Sequence, residues 1–172
     1  MKIFLISGKA GSGKSTFAGF CKEHFSNTQV MPIASSIKSI AREMGWDGNK
    51  DAKGRKLLIE LGKIGRDYDP DMWIRKLVDN IDTRCGLVCV DDWRFKNEYE
   101  YIYNHTDADI VTIRIVRDYI DPYADPNDPS EKDLDDFHGF DYVIYNNSTL
   151  DVLRERAKQI LVKEGLLRER EP

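Results

Sequence analysis

Gly8-Lys9-Ala10-Gly11-Ser12-Gly13-Lys14-Ser15, set between the apolar run Lys2–Ser7 and an amphipathic stretch over residues 14–25, decides the reading of this sequence. It fits the GxxxxGK[ST] pattern in full, directly after a predicted buried strand and at the start of a predicted helix, the context that gives the pattern meaning. Glycines at the bend let the backbone close round an anion without Cβ clashes. Successive N–H groups, with the free donors of the helix's first turn, then point at a phosphate. On this reading Ala10, Gly11, Ser12, Gly13, Lys14, Ser15 and Thr16 bind the nucleotide. Lys14 reaches its β- and γ-phosphates and Ser15 places a hydroxyl on Mg²⁺. ATP and Mg²⁺ are the expected cofactors.

Outward from this loop the chain alternates strand and helix. Strands are predicted at Lys2–Ser7, 30–34, 86–90, 110–116 and Tyr142–Tyr145. Helices are predicted at 14–25, 37–44, 53–66 and 70–84, with a last one carrying the stripe Leu150, Leu153, Ala157, Ile160 and Leu161. Pro70 is placed in the first turn of the 70–84 helix, with Asp69 as its capping candidate. Five strands separated mostly by helices predict a three-layer α/β/α fold on a mainly parallel sheet, the P-loop NTPase arrangement, as one domain over 1–172. The charged tail, 166–172, is expected to fray.

Composition narrows the function. With 26 basic against 30 acidic residues and a net charge of -4, the chain lacks the basic excess of a nucleic-acid coat. No stretch reaches the roughly 18 apolar residues that would span a membrane. Cys21, Cys85 and Cys89 form no CxxC pair and sit among apolar neighbours, so free buried thiols in a reducing cytosol are expected.

Three further regions carry chemistry. The helical insertion over 35–84 bears Lys38, Arg42, Arg55, Arg66, Arg75 and Arg84, the donor types a phosphorylated acceptor needs. Asp91 and Asp92 end the strand expected beside the first one. A carboxylate there can hold a magnesium-bound water, with Asp92 or Asp91 the metal-side partner of Ser15, although Asp-Asp after a strand is also turn chemistry. The 117–137 segment holds three prolines and eight acidic side chains without helical or strand period. It reads either as a solvated surface loop or as a lid. Strand alternation puts Arg117 on the opposite face from Arg114, which makes Arg117 the lid-base candidate near the ATP phosphates.

Several stretches together resemble the deoxynucleoside monophosphate kinases of bacteriophage type, a branch of the nucleoside monophosphate kinase-like P-loop proteins. They are the loop at 8–16, Ile33-Ala34-Ser35-Ser36-Ile37-Lys38, Leu57-Leu58-Ile59-Glu60-Leu61-Gly62 with Arg66, and Asp71-Met72-Trp73-Ile74. Asp92-Trp93-Arg94-Phe95-Lys96-Asn97-Glu98 is similar to the family's D-x-R-x-x-x-E run, and Ser130-Glu131 and Tyr142-Val143-Ile144-Tyr145-Asn146 follow in order. The resemblance implies that Lys38, Arg66 and Arg94 lie near the acceptor phosphate or base, and that Trp73 and Glu98 shape that pocket. Trp73 reads strongly as core with Ile74, Leu77 and Val78, and Glu98 equally as a salt-bridge partner orienting Arg94. The chain departs from the family in having Lys132 as the sole lid cation over 118–136, Asp128 where a histidine is usual, and Ser148 where a glycine is common.

The expected activity is ATP-dependent phosphoryl transfer to a (deoxy)nucleoside monophosphate. Lys14, Arg94 and Arg117 form the catalytic set, Lys38, Arg42, Arg66, Trp73, Arg94 and Glu98 the acceptor site, and Ser15 with Asp92 the metal side. The alternatives are a kinase of another small phosphorylated metabolite and a nucleotide-binding switch. Expected partners are the small-molecule acceptor and at most a second copy of the chain, with no nucleic-acid polymer and no membrane. The expected location is the cytoplasm, that of the host if the gene is phage-borne.

Overall fold

Lys2–Ser7 form β1, whose five inner residues are all buried. A computed structural model, which describes residues 1–119 and 121–168, sets this strand at the middle of a five-stranded sheet. The elements that follow are α1 (Lys14–His24), β2 (Thr28–Val30), α2 (Ser35–Glu43), α3 (Ala52–Tyr68), α4 (Met72–Val78) and β3 (Leu87–Trp93). After them come α5 (Lys96–His105), β4 (Asp109–Val116), α6 (Pro129–Lys132), β5 (Tyr142–Tyr145) and α7 (Leu150–Lys163). The strand order is β2-β3-β1-β4-β5 and every pairing is parallel. Ile3 lies opposite Val88 on one side and Ile110 on the other.

Helices cover both faces, so the central strands are apolar without alternation. Phe4 and Ile6 point to one face, where Phe17 and Cys21 of α1 and Leu153, Ala157 and Leu161 of α7 close over them. Ile3 and Leu5 point to the other and meet Ile37 of α2, Trp73, Ile74 and Leu77 of α4, and Ile102 of α5. The C-terminal ends of β1, β3 and β4 converge on one edge, where open parallel sheets bind ligands.

Several boundaries differ from the sequence expectation. The second strand is Thr28–Val30, not 30–34, because Ile33 and Ala34 give their N–H groups to the Asp92 carboxylate (2.6 and 3.0 Å) instead of to a neighbouring strand. The fourth helix is Met72–Val78, not 70–84. Asp69 does not cap it; its carboxylate accepts from the Asp71 N–H at 3.0 Å and pairs with Arg75, turning the chain before the helix begins. The α5 helix is unanticipated. Its tyrosines mask any apolar stripe, and its start is marked by Glu98, whose carboxylate accepts the N–H of Phe95 at the N-cap (3.0 Å).

Leu166 and Leu167 are not frayed, since both pack against the α1–α7 core; Arg168 is exposed, and residues 169–172 of the expected tail lie outside the described residues. The three cysteines are free, Cys21 and Cys89 being buried. Among the described residues no helix is long and apolar enough to cross a membrane.

The acidic 117–137 segment is docked over the end of the sheet, not splayed into solvent. Asp128 caps the short α6 by accepting from the Ser130 N–H at 2.8 Å. Beyond α6, Leu134 is buried, and Phe137 and Phe140 stand edge-on to Trp93 at ring separations of 5.1 and 5.6 Å. Ion pairs tie the segment to every element around it: Asp121 to Arg55 (2.6 Å), Glu131 to Arg94 (2.8 Å), Asp135 to Lys9 (2.7 Å) and Arg114 (3.0 Å), and Asp136 to Lys96 (2.7 Å).

Candidate active site

Gly8, Gly11 and Gly13 all take positive φ (155°, 74° and 103°) in the turn that joins β1 to α1. At Gly8 a Cβ would meet the Ile115 carbonyl oxygen at 2.4 Å, so only glycine fits where the loop leaves the sheet. Gly13 caps α1 with no side-chain hydrogen bond, and the first turn of the helix carries no acidic residue. The α1 amides are therefore left for an external anion, where the helix dipole favours negative charge. Asn146, beyond β5, braces the loop by donating to the Ser12 carbonyl at 2.8 Å.

Lys14 is buried under this arch and donates to the Gly8 and Lys9 carbonyls at 2.8 and 2.9 Å. Burial, aided by the nearby Arg94 guanidinium, pulls its pKa down to about 7. An arriving phosphate would offset both effects and restore the full charge. Ser15 and Thr16 are exposed at the mouth of the loop. Arg117, at the end of β4, reaches back to the Gly11 carbonyl (3.3 Å) and lies over the Tyr119 ring (5.5 Å), which itself covers Gly11.

The loop opens onto a cavity of about 520 Å³. Its lining also includes Lys38 of α2, Arg66 of α3, and Arg94 and Phe95 just after β3. Arg66 lies half-buried with its guanidinium 4.4 Å from the Phe95 ring centre. Trp73 is a core residue whose indole N–H donates to the Gly62 carbonyl at 2.9 Å, and it also lines the cavity. Glu98 is buried and steers Arg94 through the backbone, not by a salt bridge: one oxygen accepts the N–H groups of Arg94 and Phe95 at 2.9 and 3.0 Å. Arg42 is a correction. It is exposed, lies over Trp46 at 5.6 Å and does not line the cavity.

The metal side changes as well. Asp91 and Asp92 lie within β3, not after it, so alternation turns them to opposite faces. Asp92 spends both oxygens on the Ile33 and Ala34 amides, and burial next to Asp91 raises its pKa. Asp91 is buried with one oxygen lacking any partner, and it lines the cavity. Among the described residues no three His, Cys, Asp or Glu side chains gather round a common point. A P-loop metal does not need them, since phosphate oxygens and water complete the shell of a magnesium ion. Ser15 and Asp91 offer the hard oxygen donors such an ion prefers. Arg55, one of the insertion's cations, also lines the cavity; Lys50 in its lining and Tyr119 over the loop carry no signal in the sequence that would single them out.

A parallel sheet ordered β2-β3-β1-β4-β5, with a glycine-rich phosphate loop between its central strand and the next helix, defines the P-loop NTPase fold. Several of the solved structures to which the chain is similar are kinases. They include a sugar kinase from Janibacter sp. HTCC2649, 14% identical, with 94% of each chain covered and a TM-score of 0.53. Shikimate kinase from Aquifex aeolicus is another, 13% identical, covering 96% of this chain and 99% of that one with a TM-score of 0.50. No protein-family model matches the sequence. The chain is also similar to the uncharacterized protein ORF76 of Ictalurid herpesvirus 1 (strain Auburn), 26% identical over 171 residues, which is 94% of this chain and 69% of that protein.

Proposed function

We propose that this protein is an ATP-dependent kinase that transfers a phosphoryl group to a nucleoside or deoxynucleoside monophosphate. The observation that carries this reading is one cavity lined both by the phosphate loop and by Lys38, Arg66 and Arg94. A hydrolytic switch needs only the loop; transfer to a second phosphate needs further cations in the same cavity. The flat Phe95 ring under Arg66 offers a surface beside those cations against which a base could stack.

In this reading the amides of Ala10–Thr16 and the Lys14 ammonium hold the donor phosphates. Ser15 and Asp91 would hold Mg²⁺, which neutralises charge on the β- and γ-oxygens. Arg94, with Lys38 and Arg66, holds the acceptor phosphate in line. Arg117, at the loop crest, adds positive charge near the donor. No general base is required, since a monophosphate acceptor is already ionised near neutral pH. The docked acidic segment serves as the lid that keeps water from the transferred group.

ADP release from Mg-ATP across a panel of ribo- and deoxynucleoside monophosphates tests this reading. One acceptor should accelerate release by about two orders of magnitude or more, and Lys14→Ala should abolish it. Silence on the whole panel with ATP binding intact would overturn the monophosphate reading. These cations recognise phosphate more than base, so other small phosphorylated metabolites form the second arm of the same panel.

A further inference from the structure

Glu131 places a carboxylate inside the phosphate loop. Its side chain is 11% exposed; one oxygen accepts from the Arg94 guanidinium at 2.8 Å and the other from the Ala10 amide at 3.2 Å. An anion held between a loop amide and a guanidinium makes the contacts that a pair of phosphate oxygens would make. Its position along the loop says which phosphate it stands in for. The Lys14 ammonium, whose place in such loops is at the β- and γ-phosphates, rests on the carbonyls of Gly8 and Lys9, and Ala10 is the next residue. The opposite limb, at Gly13 and the start of α1, has no acidic side chain near it in sequence.

The arrangement is braced from outside the loop. Lys9 donates to the Glu131 carbonyl and to both oxygens of Asp135 (2.7 and 2.8 Å), Arg114 holds Asp135 from the other side, and Asp128 caps the helix that carries Glu131. We propose that Glu131 is a built-in surrogate for the terminal phosphate of the donor, so that the lid distinguishes a nucleoside triphosphate from a diphosphate. A diphosphate leaves the Ala10 amide and Arg94 to Glu131. A triphosphate brings its own anion to the same place, and the two negative charges cannot share it at low dielectric. Triphosphate entry therefore displaces Glu131 and frees Arg94, whereas diphosphate entry does neither. With Lys132 as the sole cation over 118–136, the segment has no arginine to put in place of the displaced Glu131 side chain, and the Asp121, Asp135 and Asp136 ion pairs keep the rest of it docked.

This inference rests on the nucleotide-binding part of the proposed function and not on the acceptor. Its test is calorimetric binding of Mg-ADP and of a non-hydrolysable Mg-ATP analogue to the full chain and to Glu131→Gln, which keeps the shape and removes the charge. The variant should bind the triphosphate about tenfold more tightly with diphosphate affinity unchanged. Glu131→Ala should move the ratio of the two affinities in the same direction. A merely structural role would shift both nucleotides together, and that outcome, like an unchanged ratio or weakened triphosphate binding, overturns the proposal. Failure of every acceptor on the kinase panel would leave this ratio untouched, so the two readings fall separately.

Discussion

At Asp91 and Asp92, two adjacent carboxylates of one strand meet different partners, and their chemistry separates accordingly. Both line the cavity, but Asp92 is an anchor whose two oxygens fix the Ile33–Ala34 turn, while Asp91 keeps one oxygen without a partner. Asp91→Asn should lower activity about 10- to 100-fold and raise the magnesium concentration needed for half-maximal rate. Asp92→Asn, left with one good acceptor for two amides, should cost about 1–3 kcal/mol in thermal or urea unfolding. Reversal of this pattern, with the magnesium effect at Asp92, would return the metal role to the residue that the sequence alone favoured. The sequence could name the pair but not divide it, because the division depends on which amides the turn after β2 presents.

At the scale of elements, the junction of β3 and α5 shows how a site residue is aimed from behind. Glu98 ties down the backbone of Arg94 and Phe95 at the start of α5, and burial pushes its carboxyl up to about 8. That pKa is raised above the ordinary glutamate value of 4.5, so the folded state holds the proton more tightly than the unfolded chain does. Its stabilising share is present below about pH 4.5 and is lost as pH rises through about 8, a change on the order of 5 kcal/mol. Unfolding of Glu98→Gln across pH 5 to 9 should lack this component and give a flatter profile than the parent protein. Parallel profiles would show that Glu98 does not titrate in this range. The 117–137 segment tells a related story. Its acidic composition is plain in the sequence and reads as a solvated surface, yet each of five carboxylates or carboxylate pairs has a basic partner or amide on an element distant in sequence. Long-range ion pairing leaves no periodic trace, so no local pattern could reveal it.

Across the whole molecule, stability is concentrated in the two apolar layers that the central strand separates. Phe4 and Ile3 are adjacent, fully buried, and belong to opposite layers. Phe4→Ala should cost about 3–5 kcal/mol in chemical unfolding while leaving the order of nucleotide affinities intact, because the cavity lies beyond the strand ends. Loss under about 1 kcal/mol would mean that the α1–α7 layer collapses readily onto the gap. The phosphate loop, the alternation of strands and helices, and the fold they imply were all local: glycine spacing, apolar runs and one lysine-serine pair carry them within a few residues. Lys14 and Ser15 could be named from that alone, and the cavity lining includes Lys38, Arg66 and Arg94. Only the tertiary structure decided that Arg42 faces away, that Asp91 and not Asp92 keeps a free oxygen, and that Glu131 lies inside the loop. Those facts depend on which groups distant in sequence satisfy one another when buried. Charge and hydrogen-bond pairing are settled by packing across the sheet, and residue order along the chain does not record them.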